Sequence, residues 1–275
     1  MSETSHRFKL GNLDCLVVSD GTITISDSLS RNPETAGMSK KYLNHILCLY
    51  INTGREKVLI DTGCGVGLQP SNGKLLENLR GEGIRPEDIE IIIHSHGHAD
   101  HIGGNIDADG RPVFSNARHV IHPAEWAHWE RMVAAPPPAG TLFGMFTEVA
   151  RKQLLPLKNR IKLVSDGTEI VPGIRYILAA GHTPGSTVVE ISSGIEHLFF
   201  IADVVHAPDE LRRPELFTHL DSDPAEAKRT RDQVLSLAAS SGARVLACHF
   251  QFPSLGKIET SGDAFVWMPV QATNM

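Results

Sequence analysis

The sequence predicts a layered α/β domain rather than a doubly wound parallel sheet. Three observations support this. Short β-like runs recur along the 275 residues, and their early members follow one another as hairpins. Helical patterns alternate with strands only later in the chain. A hydrophobic content of 41% against 21% charged residues supplies enough apolar material for a substantial core. The whole chain, residues 1–275, is expected to be one domain carrying a helical insertion at about 123–157.

The elements follow in order. Leu13–Val18, Ile46–Asn52 and Lys57–Ile60 are strand-like. Gly73–Gly81 reads as a helix with Leu75, Leu76 and Leu79 on one face, stopped by Gly81 and Gly83. Strands are expected again at Ile89–Ile93 and His119–Ile121. The stretch from Pro123 to Leu157 differs, with Trp126 and Trp129, then the rigid run Pro136–Pro138, then the apolar Leu142–Met145. It reads as two helices and a loop, serving either as packing and subunit contact or as an apolar wall over a site. Further strands are Ile174–Leu178, Thr187–Ile191 and His197–Ile201. A helix begins with Asp223 as N-cap and Pro224 at its first position, and stops at Gly242. Val234, Leu235 and Ala238 would face the core. A last run, Arg244–Ala247, leads into Cys248 and His249.

Bulk properties exclude several functions. The formal charge is −6 with no basic block, which argues against a nucleic-acid partner. No apolar run reaches the ~20 residues a membrane helix needs, and the opening MSETSHRFKLGN has no secretory character. A cytoplasmic protein without membrane contact is expected. Cys15, Cys48, Cys64 and Cys248 form no CxxC pair, so neither a disulfide framework nor a thiolate zinc site is indicated. Cys15 and Cys48 suit small buried hydrophobes. Cys64 is left open, and Cys248 should point away from His249 if the strand continues through them.

The stretch HSHGHADH at 94–101 gathers four histidines at the end of a buried strand. His182 in AAGHTPGS, Asp203 in FFIADVVH and His249 in ACHFQF also follow strand-like runs, so all can meet at one sheet edge. In an extended loop His96 and His98 project to the same side, and Asp100 and His101 can turn toward a second point. Imidazole and carboxylate donors suit zinc, and also manganese, cobalt or iron. A lone histidine is most simply a satisfied core residue; five histidines and two aspartates at strand ends are not.

SHGHADH resembles the HxHxDH signature of the metallo-β-lactamase superfamily, and the DTG at 61–63, the GHTPGS at 181–186, Asp203 and His249 follow in that superfamily's order. The resemblance runs from about Leu10 to the C-terminus. It implies a four-layer αβ/βα sandwich with a dinuclear metal site at the shared edge of two sheets. Carried over, it implies that His96, His98 and His182 hold one divalent ion, that Asp100, His101 and His249 hold another, and that Asp203 bridges them. Asp61 would orient the ligand loop. A hydroxide shared by the ions would attack an ester-like centre, with Asp100 shuttling the proton and His206 available to the substrate.

Within the superfamily, Asp203 in the bridging place disfavours the antibiotic-hydrolysing branch, and His98 disfavours the flavodiiron branch. His206 stands where acyl-homoserine lactonases typically carry tyrosine. The tail HFQFPSLGKIETSGDAFVWMPV resembles methyl parathion hydrolase-like proteins, with Ser254 in place of a glycine. The resemblance therefore implies a small ester, lactone or aryl phosphotriester as substrate. Acyl-homoserine lactones, glyoxalase II-type thioesters and a mononuclear iron persulfide dioxygenase are the alternatives. The sequence leaves the oligomeric state open between a monomer and a homodimer; relatives often dimerise, and the Trp126–Trp129 segment is a candidate contact surface. Trp126, Trp129, Phe143, Phe146 and Phe252 are candidate pocket walls, though each taken singly reads first as plain core packing. His94 is expected to support the site without binding metal. His45, His119, His122, His128, His197 and His219 are expected to be core or surface residues.

Overall fold

The computed structural model describes residues 4–26, 41–65, 68–212 and 220–270. His219 lies outside them. Two seven-stranded sheets stack face to face. The first has strand order β1 (Ser5–Leu10), β2 (Leu13–Ser26), β3 (Lys41–Asn52), β4 (Lys57–Ile60), β5 (Ile91–Ile93), β6 (Arg118–Ile121) and β7 (Ile161–Leu163). The second runs from β8 (Glu169–Val171) through β9 (Ile174–Leu178), β10 (Thr187–Ser193), β11 (Glu196–Phe200), β12 (Arg244–Leu246) and β13 (Leu255–Ser261) to β14 (Ala264–Pro269). The β1–β4 ladders are antiparallel, and β4 to β7 pair in parallel. Hairpins therefore come first and crossovers later.

Strand periodicity divides the apolar residues into layers. Cys15, Val17, Leu49, Ile51, Ile91 and Ile93 face inward and meet Tyr176, Val189, Ile191, Leu198, Phe200 and Leu246 of the other sheet. Their alternates Leu16, Val18, Leu59 and Ile92 face outward onto Leu75 and Leu79 of α1 (Leu75–Gly81). On the far side Val188, Phe199 and Val245 pack on Val234, Leu235 and Ala238 of α6 (Pro224–Ser241). The order helix, sheet, sheet, helix is the four-layer α/β sandwich. Asp223 caps α6 by accepting from the Glu226 N–H, and Gly242 ends it in the left-handed region (φ 63°).

The 123–157 stretch forms α3 (Pro123–Ala134) and α4 (Leu142–Gln153), followed by a 3₁₀ turn over Leu155–Arg160. Trp126, Trp129, Phe146, Ala150 and Leu154 pack with Ala99, Ile102 and Ile121 into a separate cluster beside the first sheet. Phe143 is partly buried against that cluster, whereas Phe252 packs on the inter-sheet core.

Candidate metal centre

The four segments named in the sequence meet at one edge of the sandwich. β5 ends at Ile93; its chain continues through Ser95 to His98, which precedes the short helix α2 (Ala99–Ile102). Asp203 lies in the 3₁₀ turn Ala202–Val204 after β11, and His249 three residues beyond the end of β12. His96, His98, His101, His182, Asp203 and His249 are all buried, and Asp100 is partly buried.

Asp203 organises the centre. Its Oδ2 lies 3.2 Å from His182 Nε2 and 3.7 Å from His96 Nε2, while His98 Nδ1 is 2.8 Å from His182 Nε2. Its Oδ1 faces a second group, with His101 Nε2 at 3.0 Å and His249 Nε2 at 3.1 Å. Asp100 Oδ2 stands 3.7 Å from both of those nitrogens. One carboxylate thus turns each oxygen to a different cluster of donors. Cys248 Sγ belongs to the second cluster, 3.6 Å from Asp203 Oδ1. This corrects the expectation that it points away. The strand stops at Leu246, and a turn closed by the Phe250 N–H to the Ala247 carbonyl (3.1 Å) lets two consecutive side chains face one point.

Electrostatics follow from this crowding. Burial alone would raise the Asp203 carboxyl, but His101, His249, His96 and His182 outweigh it and hold it well below the usual carboxylate range. Burial would lower His101 and His249, but Asp203, Asp100 and Asp61 outweigh it at His101, and Cys248 and Asp203 at His249, so both are held well above ordinary histidine. His96 and His98 are pushed well down by burial and by adjacent rings. His96 Nε2 is buried without a hydrogen-bond partner, and His101 Nε2, though 3.0 Å from Asp203 Oδ1, is not aligned to hydrogen-bond it. Imidazole nitrogens and carboxylate oxygens crowded into a dry site suit divalent cations better than they suit one another. The donor set therefore fits two ions.

Several residues hold these donors in place. Asp61 sits in the left-handed region (φ 61°), a conformation aspartate tolerates better than most residues. From there its Oδ2 accepts from His101 Nδ1 (2.8 Å) and the Ser95 hydroxyl (2.7 Å), and its Oδ1 accepts from the Ser95 N–H (2.8 Å). A proton fixed on Nδ1 leaves Nε2 of His101 free to donate electrons. The His45 carbonyl accepts from His249 Nδ1 at 2.9 Å, and Asp221 Oδ1 lies 3.0 Å from His182 Nδ1.

Two anchors went unseen in the sequence. Glu125 of α3 is fully buried and accepts four hydrogen bonds: from Gly97 N–H (2.8 Å) and Trp129 Nε1–H (2.7 Å) at Oε1, and from the Thr183 hydroxyl (2.6 Å) and Gly185 N–H (3.0 Å) at Oε2. It ties the His96–His98 loop and the His182 loop to one helix. Both glycines are needed for that approach. A Cβ at Gly97 would stand 2.1 Å from Trp129 Nε1, and one at Gly185 2.2 Å from the Glu125 nitrogen. Glu210, on the short helix α5 (Pro208–Arg212), is the second anchor. Its Oε2 accepts from the His206 N–H at 2.9 Å and lies 3.5 Å from His206 Nδ1, beside Arg231 at 3.9 Å.

His206 stacks on His249 at 5.6 Å with its Nε2 3.3 Å from Asp203 Oδ2. Phe146 stacks on His98 with ring centroids 4.3 Å apart, and Trp129 meets the same ring edge-on at 5.9 Å. The two aromatics are core and site wall at once. His94 contacts His119 rather than the centre (Nε2 to Nδ1, 3.0 Å), and both rings are fully buried. Cys64 is buried, with its N–H donated to Asp20 and its thiol pushed up by burial.

Comparison with known proteins agrees with this geometry. The family described as the metallo-beta-lactamase superfamily matches residues 43–249. The chain belongs to the metallo-β-lactamase superfamily. An N-acyl homoserine lactonase of Bacillus cereus is 24% identical over 212 residues, covering 69% of this chain and 76% of that one. Metallo-beta-lactamase domain-containing protein 1 of Mus musculus is 38% identical over 96 residues, 32% of each chain. Among solved structures, AidC, a dizinc quorum-quenching lactonase in complex with its product, superposes with a TM-score of 0.89 at 27% identity over 98% of this chain and 99% of that chain. The hydrolase AbOPH matches at 0.89 and 26% over all of both chains. Among the described residues no helix is long and apolar enough to cross a membrane.

Proposed function

We propose that this superfamily hydrolase cleaves a compact, largely neutral lactone or ester at a dinuclear centre, with aryl phosphotriesters as secondary substrates. The observation that carries the reading is Asp203, whose two oxygens face two separate groups of donors. His96, His98 and His182 would hold one divalent ion, most simply zinc, and Asp100, His101 and His249 the other, with Asp203 shared. When bound, such a pair supplies a water deprotonated near neutral pH and polarises a bound carbonyl or phosphoryl oxygen. The chain does the rest. Asp100, the more exposed carboxylate, would carry a proton to the leaving oxygen. His206, held by Glu210, would hydrogen-bond the substrate across the centre. Phe146 and Trp129 would keep water from the first group of ligands.

A second reading narrows the substrate to acyl-homoserine lactones, favoured by the likeness to Bacillus lactonases and to AidC. A mononuclear iron dioxygenase is disfavoured, because it leaves the convergence of His101, His249 and Asp203 without a purpose. Elemental analysis of purified protein, followed by assay of that sample on acyl lactones, aryl esters and phosphotriesters, tests the proposal. About two ions per chain and turnover that vanishes after chelation are expected. Full activity in metal-stripped protein would refute it.

A further inference from the structure

We propose that Cys248 is an additional protein donor to the second ion of the dinuclear centre, making that site a mixed nitrogen, oxygen and sulfur one. The proposal rests on the dinuclear reading above and goes beyond it, since the resemblance assigns that site only histidines and carboxylates. Its basis is geometric. The ligand atoms of His101, Asp203, Cys248 and His249 all lie within 4.8 Å of one another, and all four residues are buried. With Cys248 that ion would have five protein donors, and at the angles of about 90–120° of a five-coordinate site, zinc–sulfur and zinc–oxygen bonds of about 2.3 Å and about 2.0–2.2 Å separate the two donors by about 3.0–3.9 Å. Cys248 Sγ and Asp203 Oδ1 stand 3.6 Å apart. The same arithmetic gives about 2.8–3.7 Å for nitrogen and oxygen donors, and the His101 and His249 contacts, at 3.0 and 3.1 Å, fall within that range.

A thiol hydrogen bond to Asp203 accounts for that one distance alone. It leaves unexplained why His101 Nε2 is aimed into the same space, buried and without a hydrogen-bond partner. It also leaves unexplained why the chain turns directly after β12, which aims Cys248 and His249 together. Binding replaces the S–H bond with a sulfur–metal bond and releases the proton to solvent. A sulfur donor biases the site toward zinc, cobalt or cadmium over manganese or magnesium.

The test is the absorption spectrum of protein loaded with cobalt(II), together with the metal count of the same sample. Wild type should bind two ions per chain and show a near-ultraviolet sulfur-to-cobalt charge-transfer band. C248S and C248A should lose the band, with one ion bound roughly tenfold or more weakly and the other unchanged. C64S should keep the band. Two ions without the band overturn the role of Cys248 and leave the dinuclear reading standing; so does a band that survives in a folded C248S or C248A. Fewer than two ions overturn both. The wild-type spectrum decides sulfur ligation even if neither variant at Cys248 folds.

Discussion

Removing the Glu125 carboxylate should unlatch two ligand loops from one helix, and the size of the effect follows from its contacts. Glu125→Ala leaves four former donors. The Thr183 hydroxyl can turn to Ser186 Oγ, 2.7 Å away, so it finds another partner. The N–H groups of Gly97, Gly185 and Trp129 cannot. Each buried donor left without a partner costs about 1–3 kcal/mol, part of it recovered if water enters the space vacated. The sum is about 3–5 kcal/mol, enough to destabilise a domain worth about 5–15 kcal/mol without unfolding it. Glu125→Gln should cost about 1–3 kcal/mol. Its oxygen can still serve Gly97 and Trp129, but its amide faces the Gly185 N–H, donor against donor. Urea denaturation measures both variants. Metal titration should show that the ion assigned to His96, His98 and His182 is lost first, since Glu125 holds only those loops. An alanine variant within about 1 kcal/mol of the parent that retains both ions would show the four contacts to be incidental.

Chelation should abolish turnover and lower thermal stability, by about 2.7 kcal/mol for a site held at a hundredfold excess over its dissociation constant, and added zinc should restore both. His119 is lowered to about 4 by burial and by Arg160. Its folded pKa lies below the ordinary 6.5, so protons bind the unfolded chain first and stability is lost as pH falls from about 6.5 toward 4. Between pH 7.5 and pH 5 this amounts to about 2 kcal/mol, which His119→Gln should flatten in denaturation midpoints. His206→Ala, by removing a hydrogen bond to the oxygen on which charge develops, should cut kcat by about 10²–10³-fold, and Glu210→Gln less, with KM little changed. If both variants turn over like wild type, His206 is only a ring stacked on His249.

The site was legible where chemistry clusters in the chain. Five donors announce themselves because HxHxDH packs four of them into six positions and GHTPGS isolates the fifth. The inner strands were legible too, since residues such as Ile91–Ile93 are buried on both faces and leave an unbroken apolar run. Edge strands were not. Ser5–Leu10 alternates polar and half-buried residues, and Ile161–Leu163 is largely exposed, so neither carries a strong apolar pattern. Glu125 was illegible for a different reason. It reads as an ordinary acidic residue in a first helical turn, and its partners lie 28 and 60 positions away. Cys248 was misjudged because strand alternation was carried two residues past the point where pairing stops.

The two halves of the centre rest on largely different supports, with Asp61 reaching both through His101 and Ser95, and this bears on how it should fill. His101 and His249 rest on Asp61 and on the His45 carbonyl, in or directly after strands of the first sheet. His96, His98 and His182 depend on Glu125 in α3 and on Asp221 just before α6. The first support is a strand carbonyl and a carboxylate directly after a strand; the second is a carboxylate on α3 and one just before α6, in elements packed from outside the sheets. Sheet-held donors are already placed before any ion arrives, so less ordering entropy is lost there on binding. The second ion should therefore load with the higher affinity, and perturbations of α3 should be felt at the first.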